Sequence, residues 1–361
     1  MMTYRIFEKV LNRALPLRTT SNRGLLSFIA CLFFLRLSPA LAQGASPVPS
    51  IFDSVSTPAD AIHRLSLFVL VITSLIFAVV FSLLVYVVIR YRRRPTDDHR
   101  EPPQVYGSNQ MELAWTVVPV LIVLVLFFAT ARVIQSVQDA VPPASAVQVT
   151  AVGHQFWWEF RYPALGIVTA NELHVPVSDR AYPTPTFVKL LSVDTDHSFW
   201  IPQLAGKTDL IPNRINSTWI DPHETGIYLG QCAQYCGTQH AKMLLRVYVD
   251  SPEQFANWVA AQKQSARASP AVATGRQIFE TTACVNCHAI SGTVANGRFG
   301  PDLTHLMSRD TIASGAASNT RENLKLWIRN PEAIKPGSLM PAMNLSDNDL
   351  EAVTAYLESL Q

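Results

Sequence analysis

The pattern of apolar and polar positions first marks two long uncharged runs near the start of the chain. Residues 65–89 and 113–131 contain no charged side chain. A helix of about 20 apolar residues crosses about 30 Å of hydrocarbon, so each run is long enough to span a membrane. Pro119 lies inside the second run, where a membrane helix tolerates proline. The pattern predicts a transmembrane hairpin over residues 43–140, with spans at about 64–90 and 112–134.

A third apolar run, residues 25–35, is too short to span a bilayer and follows an arginine-rich start. The sequence ALA at residues 40–42 comes soon after it. A basic start, a short apolar core and a small-x-small site predict a secretory signal peptide over residues 1–42. An uncleaved N-terminal anchor is the alternative.

The distribution of arginine predicts the orientation of the hairpin. Five arginines fall within residues 90–100, between the two spans, whereas the outer flanks hold only Arg64 and Arg132. Positively charged loops next to spans stay in the cytoplasm. The mature N-terminus and everything after residue 135 should therefore lie outside.

From residue 147 the apolar period becomes that of β-strands. Short runs rich in Val, Thr, Ile and aromatics alternate with Pro, Asp and Gly turns, as in TFVKLLSV and MLLRVYV. Such a series within about 110 residues predicts an all-β sandwich or barrel, which we assign to residues 141–250. The sequence SPE at residues 251–253 then begins a helix, and an unpatterned stretch of small polar residues predicts a flexible linker up to residue 270.

The final segment, residues 271–361, has the period of α-helices. Apolar side chains recur three and four positions apart in GRQIFETTACVNC, RENLKLWIRNP and SDNDLEAVTAYLESL. Ser346 precedes acidic residues at the start of the last of these runs, where serine commonly caps a helix. This segment is predicted to be a small all-α domain.

Composition changes this picture at two points. A net charge of +2 with 16% charged residues excludes a strongly basic nucleic-acid binder. Four of the five cysteines lie in two short clusters, and each cluster has a histidine beside it. Disulfides are the default outside the cytoplasm, but the neighbouring histidines favour a metal or a cofactor.

The second cluster is a C-x-x-C-H motif made by Cys284, Cys287 and His288. This is the spacing of covalent haem attachment, because two thiols one helical turn apart reach the two vinyl groups while the next imidazole faces the iron. A redox dithiol is the competing interpretation. Downstream, Met340 and Met343 offer a thioether as a second axial ligand.

Residues 275–361 resemble a class I cytochrome c. The matching features are C-x-x-C-H after a first helix, the sequence GPDL at residues 300–303, a Met-Pro pair and a terminal helix. The resemblance implies that Met340 is the axial ligand, with Met343 as the fallback. It also implies that the Pro301 carbonyl accepts the second N–H of the proximal histidine.

The first cluster places Cys232, Cys236, His240 and Met243 within a dozen positions. Methionine is a poor zinc ligand, whereas thiolate, imidazole and thioether together favour copper. A single blue-copper ion would use only one of the cysteines. Two thiolates can instead bridge two copper ions, an arrangement that needs a second histidine.

His197 is the preferred second histidine, because it follows the strand TFVKLLSV in a turn that can meet the cysteine loop. Three other histidines keep the ordinary interpretation of strand or turn residues, and they remain the alternatives. These are His154, His174 and His223.

Residues 60–250 resemble subunit II of the haem-copper cytochrome c oxidases, through ELAWTVVP, GHQFWW, DHSFWIP and the C-x3-C-x3-H-x2-M loop. The resemblance implies a cupredoxin Greek-key sandwich that holds a dinuclear copper centre called CuA. The fused haem domain indicates the bacterial subclass with a built-in cytochrome c. The implied copper ligands are Cys232, Cys236, His197, His240, Met243 and, through its main-chain carbonyl, Gln234.

Three positions need separate treatment. Gln234 stands where many relatives have a glutamate that also binds magnesium, which puts the magnesium site in doubt. Phe156 stands where many relatives have the tryptophan that receives electrons, and the following Trp157 and Trp158 become candidate relay residues. Glu112, at the start of the second span, either caps the helix or, by the resemblance, takes part in proton uptake.

The resemblance implies an electron-relay subunit of an oxidase. Electrons would pass from cytochrome c or another donor to haem c, then to CuA, and then to subunit I, where oxygen is reduced with proton pumping. The expected location is the bacterial inner membrane, with both redox domains on the outer side and other oxidase subunits as partners. The alternatives are a membrane-anchored copper-delivery protein with a haem domain, and a quinol-oxidase-like subunit.

Overall fold

The predicted signal peptide and most of the arginine-rich loop lie outside the residues that the structure describes, and so does part of the predicted linker. Within the described residues the chain forms a helical hairpin, a two-sheet β-sandwich and a helical domain, which confirms the predicted fold class. A computed structural model describes residues 49–93, 104, 106–181, 183–266 and 270–361.

Helices α1 (Thr57–Arg90) and α2 (Asn109–Gln138) form the hairpin and present exposed apolar side chains along most of their length. Both are long and apolar enough to cross a membrane. α1 begins ahead of the predicted span because Pro58 occupies its first turn, where the missing N–H would have had no helical partner. The Trp219 indole Nε1 donates to the Val137 carbonyl at 2.8 Å, which joins the end of α2 to the sandwich.

Ten strands form the sandwich, in two five-stranded sheets with the orders β3-β2-β1-β5-β8 and β4-β10-β9-β6-β7. The pairs β1 with β5 and β4 with β10 are parallel, and the other pairs are antiparallel. The strands are β1 (Val147–His154), β2 (Trp157–Tyr162), β3 (Ile167–Ala170), β4 (Glu172–Pro176), β5 (Thr186–Ser192), β6 (His197–Trp200), β7 (Thr208–Leu210), β8 (Asn216–Ile220), β9 (Gly226–Cys232) and β10 (Leu244–Asp250).

The core of the sandwich continues up to one end of β6 and β9. Side chains such as Trp158 and Phe199 are fully buried between the sheets. Phe199 lies opposite Cys232 in the β6–β9 ladder. Because side chains alternate along a strand, His197 and Phe199 point to the same face, so the ladder register carries His197 towards Cys232.

The remaining helices and two short strands form the helical domain and the helix that leads to it. Helix α4 (Ala273–Thr281) crosses helix α8 (Asp347–Glu358) so closely that a Cβ on Gly275 would clash with the Ala352 carbonyl oxygen. Ser346 caps α8, since its Oγ accepts the Asp349 amide at 3.1 Å. The elements are α3 (Pro252–Gln262), α4 (Ala273–Thr281), α5 (Cys284–Cys287), β11 (Thr311–Ile312), β12 (Ala317–Ser318), α6 (Arg321–Arg329), α7 (Pro331–Ile334) and α8 (Asp347–Glu358).

Candidate copper and haem sites

The structure brings His197, Cys232 and Cys236 together at one end of the sandwich, with a ligand atom of each within 4.8 Å of the others. The two Sγ atoms are 3.9 Å apart, and His197 Nδ1 lies 3.9 Å from Cys232 Sγ. All three side chains are buried, and neither thiol is in a disulfide. A cystine therefore does not explain this loop.

Of the remaining predicted ligands, two lie beside the second thiol and one lies beside the first. Cys236 Sγ lies 3.8 Å from His240 Nδ1 and 3.9 Å from Met243 Sδ. The Gln234 carbonyl oxygen lies 3.1 Å from Cys232 Sγ. Each cysteine thus has its own histidine, and the soft donors match copper better than zinc. The donor set fits a pair of copper ions bridged by the two sulfurs.

The two thiols share a proton, and this favours a thiolate at Cys232. The contact with Cys236 lowers the pKa of Cys232, and the same contact raises the pKa of Cys236. Burial is the largest single influence on His197 and opposes its protonation, but the hydrogen bonds and negative charges of Asp194 and Cys232 together outweigh burial and raise its pKa. Asp194 Oδ1 lies 2.8 Å from His197 Nε2, which leaves Nδ1 on the thiol side. The sequence did not single out Asp194, which orients the ring.

The alternative histidines have other partners. His154 Nε2 lies 3.1 Å from Glu159 Oε2, and the burial of Glu159 is outweighed by this bond and by Arg161, so its pKa falls to about 2. His174 pairs with Asp250, and its ring stacks between those of Tyr248 and Trp258. His223 contacts the Thr57 hydroxyl beside the hairpin.

The segment 155–158 packs against one side of the loop that carries most of the candidate copper ligands, residues 232–243, which we call the copper loop. The Gln155 side-chain amide donates to the Cys236 carbonyl at 2.5 Å, and the Trp158 indole donates to the Met243 carbonyl at 3.4 Å. A Cβ on Gly237, whose φ is +132°, would lie 2.9 Å from the Phe156 ring. Glycine is thus needed in the loop, where the aromatic ring packs against its backbone.

The C-x-x-C-H motif lies in the wall of a cavity of about 260 Å³ in the helical domain. His288 Nδ1 lies 2.8 Å from the Pro301 carbonyl oxygen, so that nitrogen donates and Nε2 is left as the metal-binding atom. Burial lowers the pKa of His288, which favours the neutral ring that a metal requires. The lining includes the two thiols, the two predicted sulfur ligands, the candidate relay residue Trp157 and one further tryptophan: Cys284, Cys287, Met340, Met343, Trp157 and Trp327.

Two further residues test whether haem suits this cavity. A Cβ on Gly300 would lie 2.6 Å from His288 Cε1, so only glycine lets the ring take this position. The buried Arg309 lines the cavity and donates through Nη2 to the Asp302 carbonyl at 2.6 Å. Its Nε has no partner among the described residues. Haem carries carboxylates that would pair with this guanidinium, so the cavity fits haem. The sequence alone did not point to Arg309, because a single arginine forms no recognisable motif.

Two predicted residues lie away from these contacts. Glu112 is exposed in the first turn of α2, at the end of the hairpin that carries the arginine-rich loop. Gln234 contributes its carbonyl to the copper loop, while the residue is exposed. That Gln234 weakens a magnesium site and that Glu112 takes part in proton uptake stay predictions.

Family models match the chain in three places. Residues 46–133 match the transmembrane domain of cytochrome c oxidase subunit II, and residues 181–249 match its periplasmic domain. Residues 272–361 match cytochrome c. The matches follow the order of the hairpin, the sandwich and the helical domain.

Individual relatives point the same way. The chain is 34% identical over 318 residues to cytochrome c oxidase subunit 2 of Alkalihalophilus pseudofirmus, covering 86% of this chain and 90% of the relative. It is 30% identical to that of Bacillus subtilis, covering 91% and 97%. Quinol oxidase subunit 2 of Bacillus cereus is 31% identical but covers 58% of this chain and 71% of the relative. The solved periplasmic domain of cytochrome oxidase subunit II from Bradyrhizobium japonicum is 29% identical, covers 34% of this chain and 97% of that chain, and has a TM-score of 0.32.

Proposed function

The chain belongs to the cytochrome c oxidase subunit II family, and from this premise we propose that it carries electrons from a haem c site through a CuA site to subunit I. Oxygen reduction and proton pumping are assigned to subunit I. The observation that carries the proposal is that one chain holds two thiols, two imidazoles and a thioether in contact, together with a C-x-x-C-H cavity. When bound, both metal groups take up and release single electrons.

The protein's own part in this relay is to hold both sites in a dry and packed setting. The copper loop is anchored by Gln155 and Trp158, and its thiols are buried. Close packing limits how far ligands move when charge changes. The neighbouring Trp157 lines the haem cavity. We assign Trp157, which lines the haem cavity, and Trp158, which bonds to the copper loop, as the candidate relay side chains.

A reductive titration of the purified chain tests the relay. We expect two electrons per chain, one in a haem c band and one in the copper absorption, with rapid equilibration between them after a light pulse. A Trp157→Phe variant should equilibrate more slowly at the same two-electron capacity. Uptake of one electron per chain would exclude the relay, and an unchanged rate in the variant would remove Trp157 from it.

The two alternatives are less well supported. A copper-delivery protein needs neither a haem cavity nor a membrane hairpin of the oxidase type. The quinol oxidase relative matches a smaller share of the chain than the cytochrome c oxidase relatives do. The haem domain, matched separately as cytochrome c, favours a cytochrome c oxidase.

The hairpin anchors the chain in a membrane, and we propose that both redox domains face the outer side of a bacterial inner membrane. Glu112 then lies at the cytoplasmic end of α2, where we assign it to proton uptake into subunit I. In the assembled oxidase, Glu112→Gln should slow reduction of subunit I without altering the copper spectrum. Glu253→Gln, in the exposed first turn of α3, is the matched control. Equal rates in both variants would leave Glu112 as a helix-capping residue.

A further inference from the structure

The haem domain contacts the copper loop directly through the segment that follows α7. The Lys242 ammonium donates to the Ile334 carbonyl at 2.7 Å, and the Gln239 side-chain amide donates to the Pro336 carbonyl. Both donors lie beside the copper ligand His240. The two redox sites therefore share a wall, and they are not merely joined by the linker.

A second part of the same interface lies around β4 and β10. The buried Glu172 carboxylate accepts the Thr311 amide at 2.9 Å and the Thr311 hydroxyl at 2.8 Å. The Leu244 amide donates to the Ser314 carbonyl at 3.2 Å, and the Ser314 hydroxyl donates back to the Leu244 carbonyl at 2.8 Å. These bonds cross between domains, so their amides report whether the domains are docked.

Lys335 is the most buried cation of this interface. It is 3% exposed, and its Nζ donates to the Phe156 carbonyl at 2.7 Å and to the Ala313 carbonyl at 3.1 Å. Within the described part of the chain no carboxylate pairs with it; burial lowers its pKa to about 7, and the negative charge of Cys236 only partly opposes that effect. A buried amine that lacks a carboxylate partner is costly, and an apolar side chain could fill the same space. Packing alone therefore does not explain a lysine here.

The position of Lys335 explains what the amine does. On one side Lys335 lines the haem cavity, as does Met340, which follows it in the chain. On the other it bonds to Phe156, whose ring packs against Gly237 of the copper loop. We propose that Lys335 is a positioning residue that holds the haem pocket in one fixed position on the copper-binding sandwich. The proposal rests on the relay for its purpose, but the docking that it describes is measurable without electron transfer.

Amine labelling of the loaded wild-type chain tests the docked state. A reagent that acylates lysines should modify Lys335 at least about tenfold more slowly than the exposed Lys263, because reaction requires the domains to open. Labelling of Lys335 at the rate of Lys263 would overturn the proposal. This arm needs no variant, so it stands even where a substitution at Lys335 prevents folding.

The Lys335→Met variant tests the amine itself, because it keeps most of the apolar stem and removes the donors. Hydrogen exchange at the Thr311 and Leu244 amides should become about tenfold faster, the change that corresponds to one lost buried hydrogen bond. The matched control is Lys325→Met, whose Nζ pairs with the half-exposed Glu351 inside the haem domain. Exchange in the Lys335 variant that equals the control would refute the proposal.

A structural and a positioning role give different results in one further measurement. If Lys335 positions the domains, its methionine variant should keep the haem content and haem absorption of the wild type, while haem-to-copper transfer slows about tenfold or more. Loss of the haem absorption together with the rate would assign Lys335 to haem binding and contradict the proposal. Failure of the relay itself would instead abolish transfer in the wild type while leaving the labelling and exchange results intact.

Discussion

Replacing Cys236 by serine is expected to abolish the copper pair and leave the haem attached. Cys236 Sγ lies 3.9 Å from Cys232 Sγ, 3.8 Å from His240 Nδ1 and 3.9 Å from Met243 Sδ, so it is the donor that all three share. A serine hydroxyl is a hard, protonated oxygen and a poor bridge between soft metal ions. Loss of an outer-shell partner alone costs up to about 100-fold in metal affinity, and loss of a ligand should exceed that.

The measurement is copper content and near-infrared absorption of the purified variant, together with oxygen consumption of the assembled oxidase. We expect loss of the dinuclear absorption and a fall in turnover by at least about two orders of magnitude, because electrons can no longer enter through the copper site. The haem band should be unchanged, because its ligands lie in the other domain. A variant that keeps two coppers and normal turnover would show that Cys236 is not a bridging ligand.

Replacing Cys284 and Cys287 together by serine is expected to release the haem and strongly destabilise the helical domain. The cavity that the motif borders measures about 260 Å³. Leaving a cavity of that size unfilled costs about 6 kcal/mol at about 24 cal/mol per Å³. A domain of this size has only about 5–15 kcal/mol of stability, so the loss ranges from about two-fifths of it to all of it.

Haem staining after denaturing electrophoresis and a thermal melt of the full chain measure this result. The stain should disappear, and the transition of the helical domain should shift to much lower temperature. The Cys236→Ser variant is the matched control, since it makes the same substitution in the other cysteine pair. Copper should remain, because its ligands lie on β6 and in the loop after β9. A stained band, or an unchanged melt, would contradict covalent haem at this motif.

Local patterns predicted the elements and the metal loops, because the forces that set them act over short stretches of chain. The period of apolar residues predicted the hairpin, the strand-rich segment and the terminal helices. The C-x3-C-x3-H-x2-M loop contains five of the six implied ligands within a dozen residues. The sequence does not show that the run GHQFWWEF is divided between two strands. The turn at Gln155 and Phe156, which separates β1 from β2, contains no glycine or proline.

Long-range contacts could not be predicted from one sequence. Lys335 bonds to a carbonyl 179 positions away, and the acceptor, the Phe156 backbone, has no side-chain signature. The roles of Arg309 and Asp194 are also visible only in the folded structure. Arg309 lines the cavity that contains His288, and Asp194 contacts the His197 ring. A lone charged residue is usually solvated, so its burial must be seen before a role can be assigned.

Metal and haem analysis of the purified full-length chain, with visible and near-infrared spectra, tests the central claim most directly. The account predicts two copper atoms and one covalent haem per chain, with a copper spectrum that disappears on addition of a single electron to that site. Zinc in the cysteine loop, a single copper, or a disulfide between Cys232 and Cys236 in the isolated protein would contradict it.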